Sequence, residues 1–81
     1  MNKIIILAKH YLQAEEFARQ NNLSKKDFIF PDSDRDLRGL PHPIFICCES
    51  WYMREENHKI LQILEAMGAR NILTEYKSLR G

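Results

Sequence analysis

Nine side chains that could bind a ligand follow the apolar runs of this 81-residue chain. Lys9 and Arg35, together with a helix N-terminus, could hold a phosphate group. The ring of Trp51, Tyr11 or Tyr52 could stack on a base. This combination predicts a site for a nucleotide or a similar phosphorylated ligand. The full set of candidates is Lys9, His10, Tyr11, Asp32, Arg35, Glu49, Ser50, Trp51 and Glu56.

Two smaller sets among these residues could support catalysis or hold a metal ion. His10 beside Glu49 could form a general acid and base pair, although a solvated histidine at a helix start is the simpler interpretation. Asp32, Glu49 and Glu56 could surround Mg²⁺, or they could be ordinary surface and capping carboxylates. Because no nucleophile, metal-ligand set or cofactor motif accompanies them, we predict a binding protein without catalytic residues, cofactor or metal.

The single tryptophan, Trp51, follows an apolar run in a polar loop. A tryptophan in this position is either a lid on the core or an exposed anchor for a ligand or partner. The second interpretation defines a surface formed by Tyr11, Trp51, Tyr52 and Met53. The alternative hypothesis is therefore a protein-interaction module that binds a partner through this surface.

Several familiar motifs are missing from the sequence. The segment after the first apolar run, AKHYLQAE, has no glycine, which disfavours the close pyrophosphate contact of an NAD or FAD site. No GxxxxGK[ST] phosphate loop occurs. Cys47 and Cys48 are adjacent, so their side chains point to opposite faces of a strand and are poorly placed to bond each other. We interpret them as small buried hydrophobes in a reducing compartment.

The apolar pattern predicts the elements that position these residues. Alternation of strands with helices indicates parallel βαβ units with right-handed crossovers. We therefore predict a small three-layer Rossmann-like or flavodoxin-like α/β domain with sheet order 2-1-3-4 and helices on both faces. Its carboxyl edge gathers the candidate residues. The predicted strands are Lys3–Ala8, Asp27–Phe30, Ile44–Cys48 and Asn71–Thr74, and the predicted helices are Lys9–Asn22 and Met53–Met67, with a single helical turn in Asp32–Leu40.

Length and charge limit the classes of partner. Residues 1–81 predict one domain, with Glu75–Gly81 as a frayed tail or partner contact. The net charge of +1 gives no footprint for general nucleic-acid or membrane-surface binding. No apolar run approaches the roughly 20 residues of a membrane span, so we predict a cytoplasmic protein. One full helix on each face leaves the strands incompletely covered, which favours a homodimer with Leu12 and Leu61 exposed as contacts.

Two stretches resemble known proteins. The segment LRGLPHPIFICCES resembles the approach to the Walker B strand of phage terminase and helicase ATPases, with Cys48-Glu49 replacing the acidic pair. The whole layout, from the initial apolar strand through the LRGL turn to the helix closed by MGAR, resembles small Rossmann-like proteins encoded by bacteriophages. The second resemblance implies a phage accessory protein that binds a host protein or sequesters a nucleotide. It supplies no site residues.

Overall fold

The computed structural model of the chain describes residues 3–40 and 43–72. The described elements alternate as the sequence pattern predicts. The last two residues of the predicted fourth strand and the predicted tail, residues 73–81, lie outside the described residues. The strands are β1 (Ile4–Leu7), β2 (Phe28–Ile29), β3 (Ile44–Cys47) and β4 (Arg70–Asn71), the helices are α1 (Tyr11–Gln20) and α2 (Glu55–Ala66), and short 3₁₀ helices span Asp34–Leu37 and Trp51–Met53.

The four strands form one parallel sheet in the order β2-β1-β3-β4, which confirms the predicted topology. Ile4 pairs with Phe28 on one side and with Ile44 on the other, so β1 is an interior strand. All four residues of β1 are buried. A continuous apolar run without alternation is typical of a parallel strand covered on both faces, and this strand has that environment.

Side chains of alternate residues in β1 enter two separate cores. Ile4 and Ile6 pack with Ala14 and Ala18 of α1 in the first, here called the α1-side core. Because successive side chains of a strand point to opposite faces, the two cores lie on opposite sides of the sheet, each covered by one helix. The second, the α2-side core, is built from Ile5, Leu7, Leu37, Phe45, Ile60 and Leu64.

A residue with positive φ follows each helix: Asn22 after α1 and Gly68 after α2. Asn22 has a φ of 60°, and the next residue, Leu23, folds back against the α1-side core. Gly68 has a φ of 76°, and the N–H of Ala69 donates to the carbonyl of Leu64 at 2.9 Å. These bonds satisfy carbonyls that the last helical turn leaves open. The turn at Gly68 directs the chain into β4.

The predicted exposure of Leu61 is wrong. Leu61 is partly buried and packs against the α2-side core, because the apolar arc of α2 is broad enough to include it beside Ile60 and Ile63. Leu12 is 69% exposed, as expected for its place off the apolar arc of α1. With one of its two proposed contacts partly buried, the homodimer stays a prediction. Within residues 3–40 and 43–72, no helix is long and apolar enough to cross a membrane.

Candidate functional site

The side chain of Gln13 joins two loops at the carboxyl edge of the sheet. Its Oε1 accepts from the N–H of Lys9 at 2.7 Å, and its Nε2 donates to the carbonyl of Glu49 at 2.7 Å. Nδ1 of His10 accepts from the N–H of Gln13 at 3.2 Å, so the imidazole caps α1. This contact favours the simpler interpretation of His10. Sequence reasoning missed Gln13 because a glutamine off the apolar arc has no signal for a long-range bond.

Asn57 lies between the ends of β1 and β3. It is fully buried, and its Nδ2 donates to the carbonyls of Ala8 and Trp51, both at 2.7 Å. Its Oδ1 accepts from the guanidinium of Arg54 at 2.9 Å. Both amide hydrogens and the amide oxygen therefore have protein partners. At the carboxyl edge of the sheet, where the sequence predicts the ligand site, the carbonyls of Ala8 and Trp51 therefore already accept hydrogen bonds from a protein side chain.

Arg54 extends the same network to the end of β2. Its side chain is only 14% exposed, and its guanidinium donates to the carbonyl of Pro31 and to Oδ1 of Asp32, both at 2.8 Å. The guanidinium carbon lies 4.4 Å from the ring centroid of Phe30, and Nε is 3.7 Å from Glu56. The predicted helix Met53–Met67 includes Arg54, whereas in the structure Arg54 is the residue before α2, because helical periodicity does not fix the first residue of a helix.

The predicted carboxylate cluster is divided in the structure. Asp32 and Glu56 converge on Arg54 and line a cavity of about 200 Å³ with Lys59, whereas Glu49 lies in a different groove. Among the described residues, no group of three or more histidine, cysteine, aspartate or glutamate side chains could hold a metal ion. The contacts of Asp32 and Glu56 are those of ion-pair partners.

The remaining candidates lie apart from either cavity. Tyr11 is 43% exposed and packs its ring on Phe28 and Phe30, at centroid distances of 6.2 and 5.8 Å. Arg35 is exposed in its 3₁₀ helix. Two cavities are considered, the one beside Asp32 and Glu56 and a larger one beside β3. The residues that line them do not include Lys9, Tyr11 or Arg35. The structure therefore does not bring the predicted phosphate-binding cations together with Trp51.

The larger of these two cavities, here called the edge groove, has a volume of about 1060 Å³ and lies beside the carboxyl half of β3. Side chains of α1, from Gln13 to Gln20, form one wall, and Leu61 and Glu65 of α2 form the other. Phe45, Cys47 and Cys48 form its floor, and the turn at residues 49–52 closes one end. The groove is thus a slot at the side of the sheet, between the two helical layers. It contains the predicted residues Glu49, Ser50 and Trp51.

Charge in the edge groove has one sign. Its charged lining residues are Glu16, Glu49 and Glu65, and neither lysine nor arginine is among the described residues that line it. Carboxylates gathered along a partly enclosed surface attract cations and repel anions. The groove is therefore suited to a basic ligand.

The thiols of Cys47 and Cys48 form no disulfide and are expected to be unreactive. Cys47 belongs to the α2 side and Cys48 to the α1 side, as the alternation of strand side chains predicts. Burial raises the pKa of each thiol to about 11, and the negative charge of Glu65 adds to the effect on Cys47. Both are protonated at neutral pH, which makes them poor nucleophiles and poor metal ligands.

Trp51 is both packed and accessible. It is partly buried against the α2-side core, and its ring lies 5.4 Å from His58 and 6.2 Å from Tyr52. The preceding residue, Ser50, has a φ of 66°, and the N–H of Trp51 donates to the carbonyl of Cys48 at 3.1 Å. This tight turn brings the indole to the end of the edge groove. The lid and anchor interpretations therefore describe two faces of one side chain.

No family model matches this chain, and neither a curated protein nor a solved structure is significantly similar to it. The resemblance to bacteriophage proteins stays a prediction. Function must therefore be inferred from the geometry and charge of the described residues.

Proposed function

We propose that this protein is an interaction module whose edge groove binds an extended segment of a partner protein that carries basic and apolar side chains. The observation that carries the proposal is the charge of the groove. Glu16, Glu49 and Glu65 surround an apolar floor, with no basic side chain among the described lining residues. A cationic segment would neutralise the carboxylates while its apolar side chains covered the floor.

The shape of the edge groove supports an extended ligand. A strand in a layered sheet occupies about 160 Å³ per residue, from a rise of about 3.3 Å, a strand spacing of about 4.8 Å and a layer thickness of about 10 Å. The volume of about 1060 Å³ is therefore enough for a strand of about six residues. It also reaches the upper limit of about 1,000 Å³ for ordinary small-molecule pockets.

The backbone of β3 provides a template for such a strand. β1 pairs with β3 along all four residues, and within the described residues, which end at Ile72, β4 pairs with Ile44 and Phe45. The N–H of Ile72 adds one bond to the carbonyl of Phe45 at 3.0 Å. In a parallel ladder, alternate residues bond on the same side, so Cys47 is the next residue of β3 whose backbone faces the groove. Addition of a strand to a sheet edge is a common mode of peptide recognition.

The same geometry gives less support to a nucleotide or phosphorylated ligand. A phosphate in the edge groove would lie among carboxylates, without the predicted cations Lys9 and Arg35. At the carboxyl ends of β1 and β2, the carbonyls of Ala8 and Pro31 already accept bonds from protein side chains. The contacts favour the interaction module.

Fluorescence of the single tryptophan provides a direct test, because Trp51 lines the edge groove. We expect a synthetic peptide of alternating lysine and valine to change the Trp51 emission saturably, and a glutamate-valine peptide of equal length to leave it unchanged. Binding of the lysine peptide should weaken as salt is added, because salt screens exposed charges.

Variants of the groove carboxylates sharpen this test. Glu65→Gln should weaken the lysine peptide several-fold, since one attractive charge is lost, whereas Glu55→Gln, on the exposed first turn of α2 outside the groove, should not. Equal binding of the two peptides would contradict the proposal. So would a thermal shift produced by ATP but not by the lysine peptide, which would favour the nucleotide hypothesis instead.

A further inference from the structure

Each helical wall of the edge groove carries both a carboxylate and an apolar side chain. We propose that the groove therefore selects its partner segment by spacing, and binds best a segment in which pairs of consecutive basic residues alternate with pairs of consecutive apolar residues. This inference rests on the proposed function of the groove and adds the sequence pattern of the ligand. Three observations support it: the composition of the walls, the alternation of side chains along β3 and the spacing of two residues on α2.

The two walls, here called the α1 wall and the α2 wall, have matching chemistry. On the α1 wall, Glu16 is exposed and the next residue, Phe17, is partly buried against the α1-side core. On the α2 wall, Glu65 is exposed and Leu61 is partly buried against the α2-side core. A ligand with all of its charge on one face would place only apolar side chains against the carboxylate of the other wall, which would lose hydration without gaining a partner. Both faces of the ligand therefore need a basic and an apolar side chain.

Side chains of a strand paired with β3 would alternate between the two walls. Phe45 and Cys47 lie on the α2 side of the sheet, whereas Ile46 lies on the α1 side. Residues directly opposite each other in neighbouring strands point to the same face of the sheet. A ligand residue opposite Cys47 would therefore point to the α2 wall, and the residue before or after it to the α1 wall. Two consecutive basic residues reach both walls, whereas basic residues at every second position reach one.

The separation of Leu61 and Glu65 along α2 sets the repeat on one face of the ligand. Because α2 connects the end of β3 to the start of the parallel strand β4, it runs back along the sheet. Four residues of a helix rise about 6 Å, and two residues of a strand rise about 6.6 Å. An apolar ligand side chain against Leu61 therefore places the next side chain of the same face beside Glu65.

The pattern of the whole ligand follows from its two faces. On each face, basic and apolar side chains alternate, so each kind recurs at every fourth position of the segment. The two faces are interleaved one residue apart. Whichever offset they have, the basic residues fall in consecutive pairs separated by pairs of apolar residues.

Two synthetic peptides of equal composition separate spacing from charge. The sequence KKVVKKVV presents lysine and valine on both faces of a strand, whereas KVKVKVKV places every lysine on one face. Each peptide is titrated into the full-length wild type and into Glu16→Gln, Glu65→Gln and the control Glu55→Gln, which removes an exposed charge outside the groove. Trp51 emission and isothermal titration calorimetry both report binding.

We expect the paired peptide, KKVVKKVV, to bind the wild type about threefold more tightly than the alternating peptide, which is the effect of one additional exposed ion pair. Glu16→Gln and Glu65→Gln should each weaken the paired peptide about threefold, because its lysines meet both walls. In the alternating peptide, lysines that meet Glu65 leave only valines against the α1 wall. Glu65→Gln should therefore weaken the alternating peptide and Glu16→Gln should not, while Glu55→Gln should change neither affinity.

Equal affinity of the wild type for the two lysine peptides would overturn selection by spacing, and so would tighter binding of the alternating peptide. If both still bind more tightly than the glutamate-valine peptide, the proposed function survives and only the spacing rule fails. A paired peptide that Glu16→Gln does not weaken would also overturn the rule, because the α1 wall would then make no contact with lysine. If neither lysine peptide binds any of the chains, both proposals fail.

Discussion

The carboxyl end of β1 and the outer side of β3 belong to one sheet, yet their surroundings differ. At the end of β1, the buried amide of Asn57 donates to the carbonyl of Ala8, and Arg54 links that amide to the end of β2. On the outer side of β3, the strand residues that follow Phe45 border the edge groove, a cavity of about 1060 Å³ whose lining includes three carboxylates.

The difference teaches where binding is possible in so small a sheet. Open α/β sheets commonly bind ligands outside the carboxyl ends of their strands, at the point where strand order reverses. Here the carbonyls of Ala8 and Pro31 at that place are bonded to Asn57 and Arg54. The larger open surface lies at the side of the sheet, which favours an extended polypeptide over a compact phosphorylated ligand.

The largest expected change in the free energy of unfolding comes from the hydrogen-bond network at the carboxyl end of β1. Asn57→Ala removes both donors to the carbonyls of Ala8 and Trp51 and leaves Arg54 without its amide partner. Since buried groups left unsatisfied cost about 1 to 3 kcal/mol, we expect the free energy of unfolding to fall by about 3 kcal/mol. Urea denaturation measures this loss.

The matched variant on the groove side is Glu65→Gln. Its side chain is exposed, so the free energy of unfolding should change by less than about 0.5 kcal/mol. Similar losses in Asn57→Ala and Glu65→Gln would remove the distinction between the two regions.

A smaller effect should appear in the pH dependence of stability. Burial raises the pKa of Cys48 to about 11 from an ordinary 9.0, so the folded chain holds this proton more tightly than the unfolded chain. The free energy of unfolding should therefore fall as pH rises from 9.0 to about 11.

Cysteine variants isolate this contribution. Urea denaturation across that pH range should show a smaller fall in Cys48→Ala than in the wild type, and likewise in Cys47→Ala, whose thiol has a similarly raised pKa. Parallel pH profiles for the wild type and both variants would show that neither thiol contributes.

The only expected gain in stability concerns the turn that joins the two regions. Ser50 has a φ of 66°, a conformation that glycine adopts without the steric strain of a Cβ atom. Ser50→Gly should raise the free energy of unfolding by up to about 1 kcal/mol, as measured by thermal denaturation. Ser33→Gly is the matched control, because Ser33 has an extended φ of −158° and offers no strain to relieve. A loss of stability in Ser50→Gly would show that the turn is not strained.

Much of the fold could be predicted because its signals are local. The unbroken run at Ile44–Cys47 indicates a strand buried on both faces, and Gly68 after a helical period indicates a helix end. The candidate site was less predictable. Gln13, Arg54 and Asn57 bond to backbone carbonyls or side chains that lie up to 49 positions away along the chain, and helical periodicity carries no information about such partners.

By itself, the sequence determined the order of the elements, the parallel sheet and the two-sided burial of β1 and β3, because apolar spacing and turn residues act over a few positions. Only the tertiary structure decided which polar side chains are bonded and which line a groove. Asn57 and Glu56 are neighbours on α2, yet one is fully buried against β1 and the other is exposed beside Arg54. That difference depends on which strand ends lie beside each residue, and those positions are set by packing across the whole chain.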